Sequence, residues 1–297
     1  MGAQHAKQLL KNAAYRAIGE TTGFLGADPR TERALTVLMY HKVNDLEDNP
    51  TTVPVSLFDE QMDELGSLGY TVVGLDAVLD FYVEGKPLPP RAVLISFDDG
   101  YRDTLTNAVP VLRKYDYEAV LFLPLAYLDD PMPLPHEKRL SAQGIHNPTL
   151  HADELAELEA GGVRIESHGI SHRPLAELEV DEAVREIAVS KLKLEERLGR
   201  PVRSFAYVKG SDAHFHSVHV SFLRQAGYDL AFTSVSGANG PNADPLRLKR
   251  YNVEPYPART FELVLAGACD LIAVKDTVAG THARRVFNAA LGTATEQ

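Results

Sequence analysis

Two adjacent carboxylates, Asp98 and Asp99, end an apolar run and are followed by Gly100. The run, from Ala92 to Ile95, predicts a buried strand with the carboxylates at its carboxyl end. Successive side chains of a strand point to opposite faces, so the two acids can do different jobs, such as holding a metal and moving a proton. A solvated Asp-Asp-Gly turn is the simpler alternative.

Two histidines, His168 and His172, lie four residues apart after another predicted strand. On a helical turn this spacing would place both rings on one side. Two imidazoles and one carboxylate form a three-ligand set that leaves room for water, as catalytic metal sites do. With 11 histidines in the chain, such a pair also arises by chance. A rival group, which we interpret as surface or loop histidines at a helix start, comprises His214, His216 and His219.

The elements that position these residues alternate between strand and helix. Apolar runs predict about eight strands, near 34–40, 71–75, 92–95, 119–123, 163–167, 202–207, 229–233 and 246–253. The alternation predicts a parallel sheet. Eight such units favour a single (β/α) barrel of the TIM type, regular or distorted, over a doubly wound sheet. The strand ends that would gather at the catalytic face of a barrel carry His41, Asp98–Asp99, His168 and Tyr207.

Three regions are predicted along the chain. Residues 1–33 form an N-terminal helical extension, 34–270 the barrel domain, and 271–297 a C-terminal helix and tail. The first region contains an amphipathic helix that we expect to pack on the barrel, with weak peripheral membrane contact as the alternative. A proline-rich loop, Pro124–Pro148, is interpreted either as a lid or as an insertion without a role.

Composition excludes several classes of function. The net charge of -11 argues against nucleic-acid binding and against docking on anionic lipid. The single cysteine, Cys269, excludes an intrachain disulfide framework. The sequence contains no run typical of a signal peptide or a transmembrane segment, so the predicted location is the cytoplasm. The oligomeric state is not predicted.

Taken together, these motifs resemble the polysaccharide deacetylases, which are carbohydrate esterase family four or the NodB-homology domain. Ser96-Phe-Asp-Asp-Gly100 is similar to the first motif of that family, His168-Gly-Ile-Ser-His172 to the second, and Phe205-Ala-Tyr-Val-Lys-Gly210 to the third. The resemblance extends from about Leu35 to Val253. Met39-Tyr-His41 is similar to the poly-N-acetylglucosamine deacetylase branch.

The resemblance implies a role for each matching residue. Asp99, His168 and His172 would bind a divalent metal, zinc first, with Co²⁺, Ni²⁺ or Mn²⁺ as alternatives. Asp98 would be the general base. His41 would be the general acid, in place of a late family histidine that this sequence lacks, with a packed strand-end residue as the alternative.

The third motif departs from the family pattern. Ala206 replaces the arginine that steadies the base, and Arg250 on the last strand is the candidate substitute, with a surface strand residue as the alternative. The Lys209 N–H would help hold the oxyanion, and its side chain could contact an anionic group on the substrate. Tyr101, Tyr207 and Gly210 complete the predicted substrate-binding set, with simple packing as the alternative for the two tyrosines.

The predicted activity is therefore metal-dependent removal of N-acetyl groups from an amino-sugar polysaccharide, oligosaccharide or conjugate, with release of acetate. One alternative is hydrolysis of a different small amide or of an O-acetyl ester. The other is a carbohydrate-binding homologue with impaired catalysis.

Overall fold

The computed structural model describes residues 12–17, 20–21, 34–129, 132–268, 270, 277 and 280. The strands are Leu35–Tyr40 (β1), Lys42–Val43 (β2), Thr52–Val53 (β3), Thr71–Val72 (β4), Ala92–Phe97 (β5), Ala119–Leu123 (β6), Val163–Ser167 (β7), Ser204–Ala206 (β8), Leu230–Phe232 (β9) and Tyr251–Asn252 (β10). The α-helices are Val55–Ser67 (α1), Leu75–Leu79 (α2), Val109–Lys114 (α3), Lys138–Ala142 (α4), Leu155–Ala160 (α5), Val180–Leu198 (α6), Ser217–Gln225 (α7) and Ala258–Leu265 (α8). Two π-helical turns, Asp80–Glu84 and Thr104–Ala108, supplement them.

A curled parallel sheet forms the centre of the described part of the chain. Its strand order is β10-β1-β5-β6-β7-β8-β9, and β4 pairs separately with β5. A parallel bridge between Phe232 and Leu248 then joins β9 to the segment that leads into β10, so the sheet curls back on itself. This confirms the predicted barrel, in a distorted form. The short ladder of β2 and β3 forms a separate two-stranded sheet, in a region where the sequence predicted no strand.

Alternate strand residues fall into two apolar layers. Leu35, Val37 and Leu94 belong to the inner layer, together with residues of α2. Leu38 and Ile95, one residue further along each strand, belong to the outer layer that packs against the helices. Strands that are buried on both faces have continuous apolar sequences, and these runs allowed the strands to be predicted. Each fully buried large aliphatic side chain stabilises the fold by about 1.5–3 kcal/mol.

Helix α6 covers the outside of β7 and begins and ends as its sequence directs. The Glu182 carboxylate accepts a hydrogen bond from the Glu179 N–H, 3.4 Å away, which satisfies one free donor at the helix start. Gly199 ends the helix with φ +66°, a left-handed conformation that costs glycine little.

The loop Pro124–Pro148 contains ordered turns. A 3₁₀ turn at Leu125–Tyr127 and a second at Pro135–Glu137 precede α4. Leu134 and Glu137 are almost completely buried. In its described part, which excludes residues 130–131, the loop therefore packs onto the barrel.

The chain termini are described only in part. Residues 12–17 and 20–21 are helical, and the Tyr15 ring lies 5.4 Å from the Tyr256 ring, so this helix contacts the barrel domain. The rest of the predicted N-terminal extension, and the predicted C-terminal helix and tail apart from residues 277 and 280, lie outside the described residues. No described helix combines the length and the apolar character needed to cross a bilayer.

Candidate functional site

Asp98 and Asp99 lie at the carboxyl end of β5, as predicted, and both are almost completely buried. The Asp98 N–H donates to the Tyr40 carbonyl at 3.0 Å, which fixes this end of β5 beside the end of β1. The chain turns at once, with φ +75° at Asp99 and +70° at Gly100. A side chain at Gly100 would place its Cβ 2.4 Å from the Leu123 side chain, so the turn requires glycine.

Three donor groups converge beside this turn. The Asp99 Oδ1 atom lies 2.8 Å from His172 Nε2 and 3.5 Å from His168 Nε2. One ligand atom from each of these residues lies within 4.8 Å of the other two. The His168 Nδ1 atom lies 2.8 Å from the Ala206 carbonyl, which places the proton on Nδ1 and leaves Nε2 free to bind a metal. This buried set of two imidazoles and one carboxylate fits a divalent metal.

The segment that carries the two histidines is not a helical turn, and the sequence argument was wrong on that point. Residues 168–172 are irregular, with φ +80° at Gly169 and +55° at His172. The Glu186 carboxylate of α6 accepts hydrogen bonds from the Ile170 and Ser171 N–H groups at 2.6 and 3.0 Å. A Cβ at Gly169 would lie 2.8 Å from that carboxylate. Glu186 therefore shapes the metal-binding segment, a role that the sequence did not signal.

Arg250 contacts Asp98 through two hydrogen bonds. Its Nη1 and Nη2 atoms donate to Asp98 Oδ1 and Oδ2, both at 2.7 Å. Its Nε donates to the Thr233 carbonyl at 2.8 Å, and the whole side chain is buried inside the barrel. The alternative of a surface strand residue is therefore excluded.

The charges around the two carboxylates keep them ionised. Burial raises the pKa of Asp98, but Arg250 and His168 outweigh it, and the pKa lies below its ordinary value. Burial likewise raises the pKa of Asp99, but His172 and His168 bring it well below the ordinary value. Both groups are therefore carboxylates at neutral pH, as a metal ligand and a base must be.

His41 follows β1 directly and is half-buried beside this site. Burial lowers its pKa below the ordinary value, against the opposite effect of Asp99 and Asp98. Its Nδ1 atom is buried without a hydrogen-bond partner among the described residues. The ring is thus close enough to Asp99 and Asp98 for their charges to act on it, and its role as the acid stays a prediction.

The third motif lies at the end of β8, and its tyrosine packs in the core instead of binding substrate. Tyr207 is buried, stacks on Phe215 with ring centres 3.9 Å apart, and donates its hydroxyl to the Leu246 carbonyl. It packs the core because it faces the outer layer, and it does not line a pocket. Lys209 is exposed, with φ +57°. Gly210 lies so close to the segment after β9 that a Cβ would be 2.6 Å from the Ser234 nitrogen. The Ser234 N–H donates to the Gly210 carbonyl at 2.9 Å and its hydroxyl to the Lys209 carbonyl at 2.5 Å, which holds the Lys209 backbone in place.

Tyr101 is also completely buried and cannot form part of an open binding surface. Its hydroxyl lies 2.9 Å from His136 Nε2 and 3.1 Å from Glu137 Oε1. His136 in turn lies 3.5 Å from Asp99 Oδ2, and its ring centre is 5.3 Å from that of His172. No sequence pattern indicated His136, because it lies in a loop without periodicity and outside the three motifs.

The rival histidine group is structural. The ring of His214 contacts the Ser211 hydroxyl at 2.7 Å, and His219 Nδ1 accepts from the His216 N–H at the start of α7. His214 and His219 are buried, so the surface interpretation was wrong for these two. None of them belongs to the metal-competent group found among the described residues.

Comparisons with known proteins agree with this geometry. A family model described as polysaccharide deacetylase matches residues 85–231. YxkH of Bacillus subtilis, named as a polysaccharide deacetylase, is 28% identical over 222 residues, which cover 74% of this chain and 72% of the relative. The poly-beta-1,6-N-acetyl-D-glucosamine N-deacetylase of Escherichia coli K12 is 29% identical over 109 residues, which span 36% of this chain and only 16% of that protein.

Solved structures share the fold. IcaB from Ammonifex degensii superposes with a TM-score of 0.67 and 23% identity, covering 80% of this chain and 97% of that chain. The Streptococcus pyogenes deacetylase PplD, solved with acetate, gives a TM-score of 0.65 and 21% identity, covering 78% and 99%. At these identities the likeness concerns the fold alone.

Proposed function

Since the chain belongs to the polysaccharide deacetylase family, we propose that it hydrolyses N-acetyl groups of an amino-sugar polymer and releases acetate. The observation that carries the proposal is the juxtaposition of the Asp99–His168–His172 group with the Asp98–Arg250 pair. One part can hold a metal, and the other is an ionised, oriented carboxylate. A neutral amide needs both, because its carbonyl is a poor electrophile and water a poor nucleophile.

Asp99, His168 and His172 would hold the metal, with zinc as the first candidate and Co²⁺, Ni²⁺ or Mn²⁺ as alternatives. When bound, it would supply Lewis-acid activation of the attacking water and of the acetyl carbonyl.

The protein's own groups manage the proton transfers. Asp98 accepts a proton from the attacking water, and the two hydrogen bonds from Arg250 fix the plane of its carboxylate. His41 donates a proton to the leaving amine. The Lys209 N–H stabilises the oxyanion, since Gly210 holds that segment against β9.

A second candidate function follows from the exposed Lys209 side chain. Neither Tyr207 nor Tyr101 offers an open aromatic surface for a sugar, and Lys209 carries a positive charge at the edge of the site. This favours a substrate with an anionic group, such as a charged sugar conjugate, or a different acetylated compound.

The cytoplasmic location remains a prediction from the sequence, and cell fractionation would test it.

The test is acetate release from N-acetylglucosamine oligomers, small N-acetyl compounds and O-acetyl esters, with and without a chelator. We expect release from the oligomers, loss with the chelator and recovery with Zn²⁺. Asp99→Ala should lose both metal and activity, whereas Asp98→Asn should keep the metal and lose activity. Asp63→Asn, on the exposed face of α1, is the matched control. A chelator-resistant activity, or no release from any substrate at any added metal, contradicts the proposal.

A further inference from the structure

His136 reaches the candidate metal centre from a part of the chain that no motif covers. It belongs to the turn Pro135–Glu137 in the long loop, and its side chain is 30% exposed to solvent. Its Nε2 atom lies 3.5 Å from Asp99 Oδ2. The two metal-competent histidines, by contrast, face Asp99 Oδ1, at 2.8 Å for His172 and 3.5 Å for His168. The two oxygens of one carboxylate thus have different partners.

The surroundings of His136 determine which ring nitrogen carries the proton. Three oxygen atoms lie near Nε2: the Tyr101 hydroxyl at 2.9 Å, Asp99 Oδ2 at 3.5 Å and Glu137 Oε1 at 3.6 Å. The Tyr101 hydroxyl donates to Glu137 Oε1 at 3.1 Å, so its oxygen is left to accept from His136. A proton on Nε2 is therefore favoured, where it can be donated to the Tyr101 oxygen, and Asp99 Oδ2 lies 3.5 Å from the same nitrogen.

Glu137 is itself fixed from the far side. Lys42 donates to its Oε1 at 2.7 Å, and both side chains are buried, with 0% and 3% exposure. Asn147 donates to its Oε2 at 2.5 Å. This chain of contacts, from Lys42 through Glu137 and Tyr101 to His136, leaves the imidazole little freedom to turn away from Asp99.

We propose that His136 is a positioning residue of the metal centre, which directs its Nε2–H at Asp99 Oδ2 and so keeps Asp99 Oδ1 as the single metal-binding oxygen. It is not a direct ligand, because the atoms that can hold one metal together come from Asp99, His168 and His172 alone among the described residues. Groups that hydrogen-bond to metal ligands orient them and raise metal affinity. The inference rests on the metal centre of the proposed function and adds a residue to it.

The test is metal affinity, measured without substrate by competition with a chromophoric chelator, together with the visible spectrum of the Co²⁺ form. His136→Ala should weaken Zn²⁺ binding about 10- to 100-fold, the usual effect of losing such a residue, and leave the Co²⁺ spectrum in the same coordination class. His136→Gln, whose amide N–H can reach the same oxygen, should recover part of the affinity. Tyr101→Phe, which keeps the packed ring and removes the hydroxyl, should weaken binding less than His136→Ala.

His146→Ala is the matched control. This histidine lies in the same loop, is exposed, and hydrogen-bonds through its ring to the Ser141 hydroxyl, away from the metal centre. It should bind metal as the wild-type protein does, and circular dichroism should show that every variant is folded. Wild-type affinity in folded His136→Ala would overturn the inference and leave the proposed function intact. A Co²⁺ spectrum of His136→Ala that indicates one metal ligand fewer than in wild type would overturn the inference and show that His136 coordinates the metal directly. A wild-type protein that binds no metal would instead refute the proposed function.

Discussion

Arg250 hydrogen-bonds to both oxygens of Asp98 and lowers its pKa against the opposite effect of burial. A carboxylate with a lowered pKa is a weak base toward ordinary water. In the proposed mechanism, Asp98 would therefore need a metal held by Asp99, His168 and His172, which would supply Lewis-acid activation of the attacking water. The proposal thus requires both the Asp98–Arg250 pair and the metal-binding group.

The proposed acid, His41, can be tested through the leaving group. An amine must be protonated to leave, whereas the phenolate of an aryl acetate leaves without help. His41→Ala should lose about 10²- to 10⁴-fold in kcat on N-acetyl sugars but less than about tenfold on 4-nitrophenyl acetate. Steady-state kinetics on the two substrates measures the contrast.

Asp98→Asn should lose activity on both of these substrates, because both need an activated water. His146→Ala should behave as wild type on both. Equal losses on the two substrates in His41→Ala would show that the ring only packs at the end of β1.

Asp103 gives the fold a pH dependence that is separate from catalysis. Its Oδ1 atom is buried without a hydrogen-bond partner among the described residues, and burial raises its pKa to about 6. Because the folded state binds this proton more tightly than the unfolded state, stability falls as pH rises from about 4 to about 6 and then stays lower. Asp103→Asn should therefore be more stable than wild type by about 2 kcal/mol at pH 8, and the difference should shrink toward pH 4.

Urea unfolding of both proteins at pH 4 and pH 8 measures that difference. The hydrogen bond from Asn44, now at 2.6 Å from Asp103 Oδ2, can be kept by the new amide oxygen. A constant difference between the two pH values would contradict the titration.

At this scale, the sequence indicated the chemistry of the motif residues but not the orientation of every side chain. Asp99, His168 and His172 do come together in the structure, and their types and spacing were the signal. Tyr207 was misplaced, since an aromatic residue at a strand end can face either layer and only packing decides. His136 left no sequence signal, because its partners are 35 or more positions away or immediately adjacent.

At the scale of elements, the described part of the loop Pro124–Pro148 packs against the barrel beside the candidate site. Its buried anchor is the Lys42–Glu137 ion pair, supplemented by Leu134. A buried pair in which one partner is removed leaves an uncompensated charge, which is far more costly than the loss of a surface pair. The order of this loop should therefore depend on one carboxylate.

Glu137→Gln keeps the shape and the hydrogen-bonding oxygen but leaves Lys42 without a counter-charge. We expect a loss of about 3 kcal/mol in the free energy of unfolding. We also expect faster trypsin cleavage after Lys138 and Arg139, which are exposed in the folded protein and protected only by backbone order. Unfolding curves and cleavage rates check both.

The control is Glu84→Gln, which breaks an exposed 2.7 Å pair with Lys86 and should change neither quantity appreciably. A Glu137→Gln protein as stable and as protease-resistant as wild type would mean that Leu134 and its apolar neighbours hold the loop by themselves.

The elements were the most predictable level of this structure. Parallel strands buried on both faces give apolar runs, and each of the eight predicted strands is present in the described sheet. Short features escaped, namely the two-residue β2–β3 ladder and the irregular segment at 168–172. Their conformations depend on contacts such as that of Glu186, which no local pattern encodes.

For the whole molecule, the alternating pattern predicted the barrel but not how it closes. The segment Leu248–Asn252, which includes β10, joins the two ends of the sheet, through Tyr251 and Asn252 to β1 and through Leu248 to β9. Arg250 lies between these two contacts and extends inward to Asp98. Closure of the sheet and orientation of the base are thus achieved by the same five residues.

Because the segment that orients Asp98 comes late in the sequence, the order of synthesis affects when the site is complete. Asp98, Asp99 and both candidate metal-binding histidines leave the ribosome before Arg250 does, and early segments begin to fold first. A nascent chain can thus hold every ligand of its metal and still lack an oriented base. We therefore expect hydrolytic activity to begin only when the final strand docks.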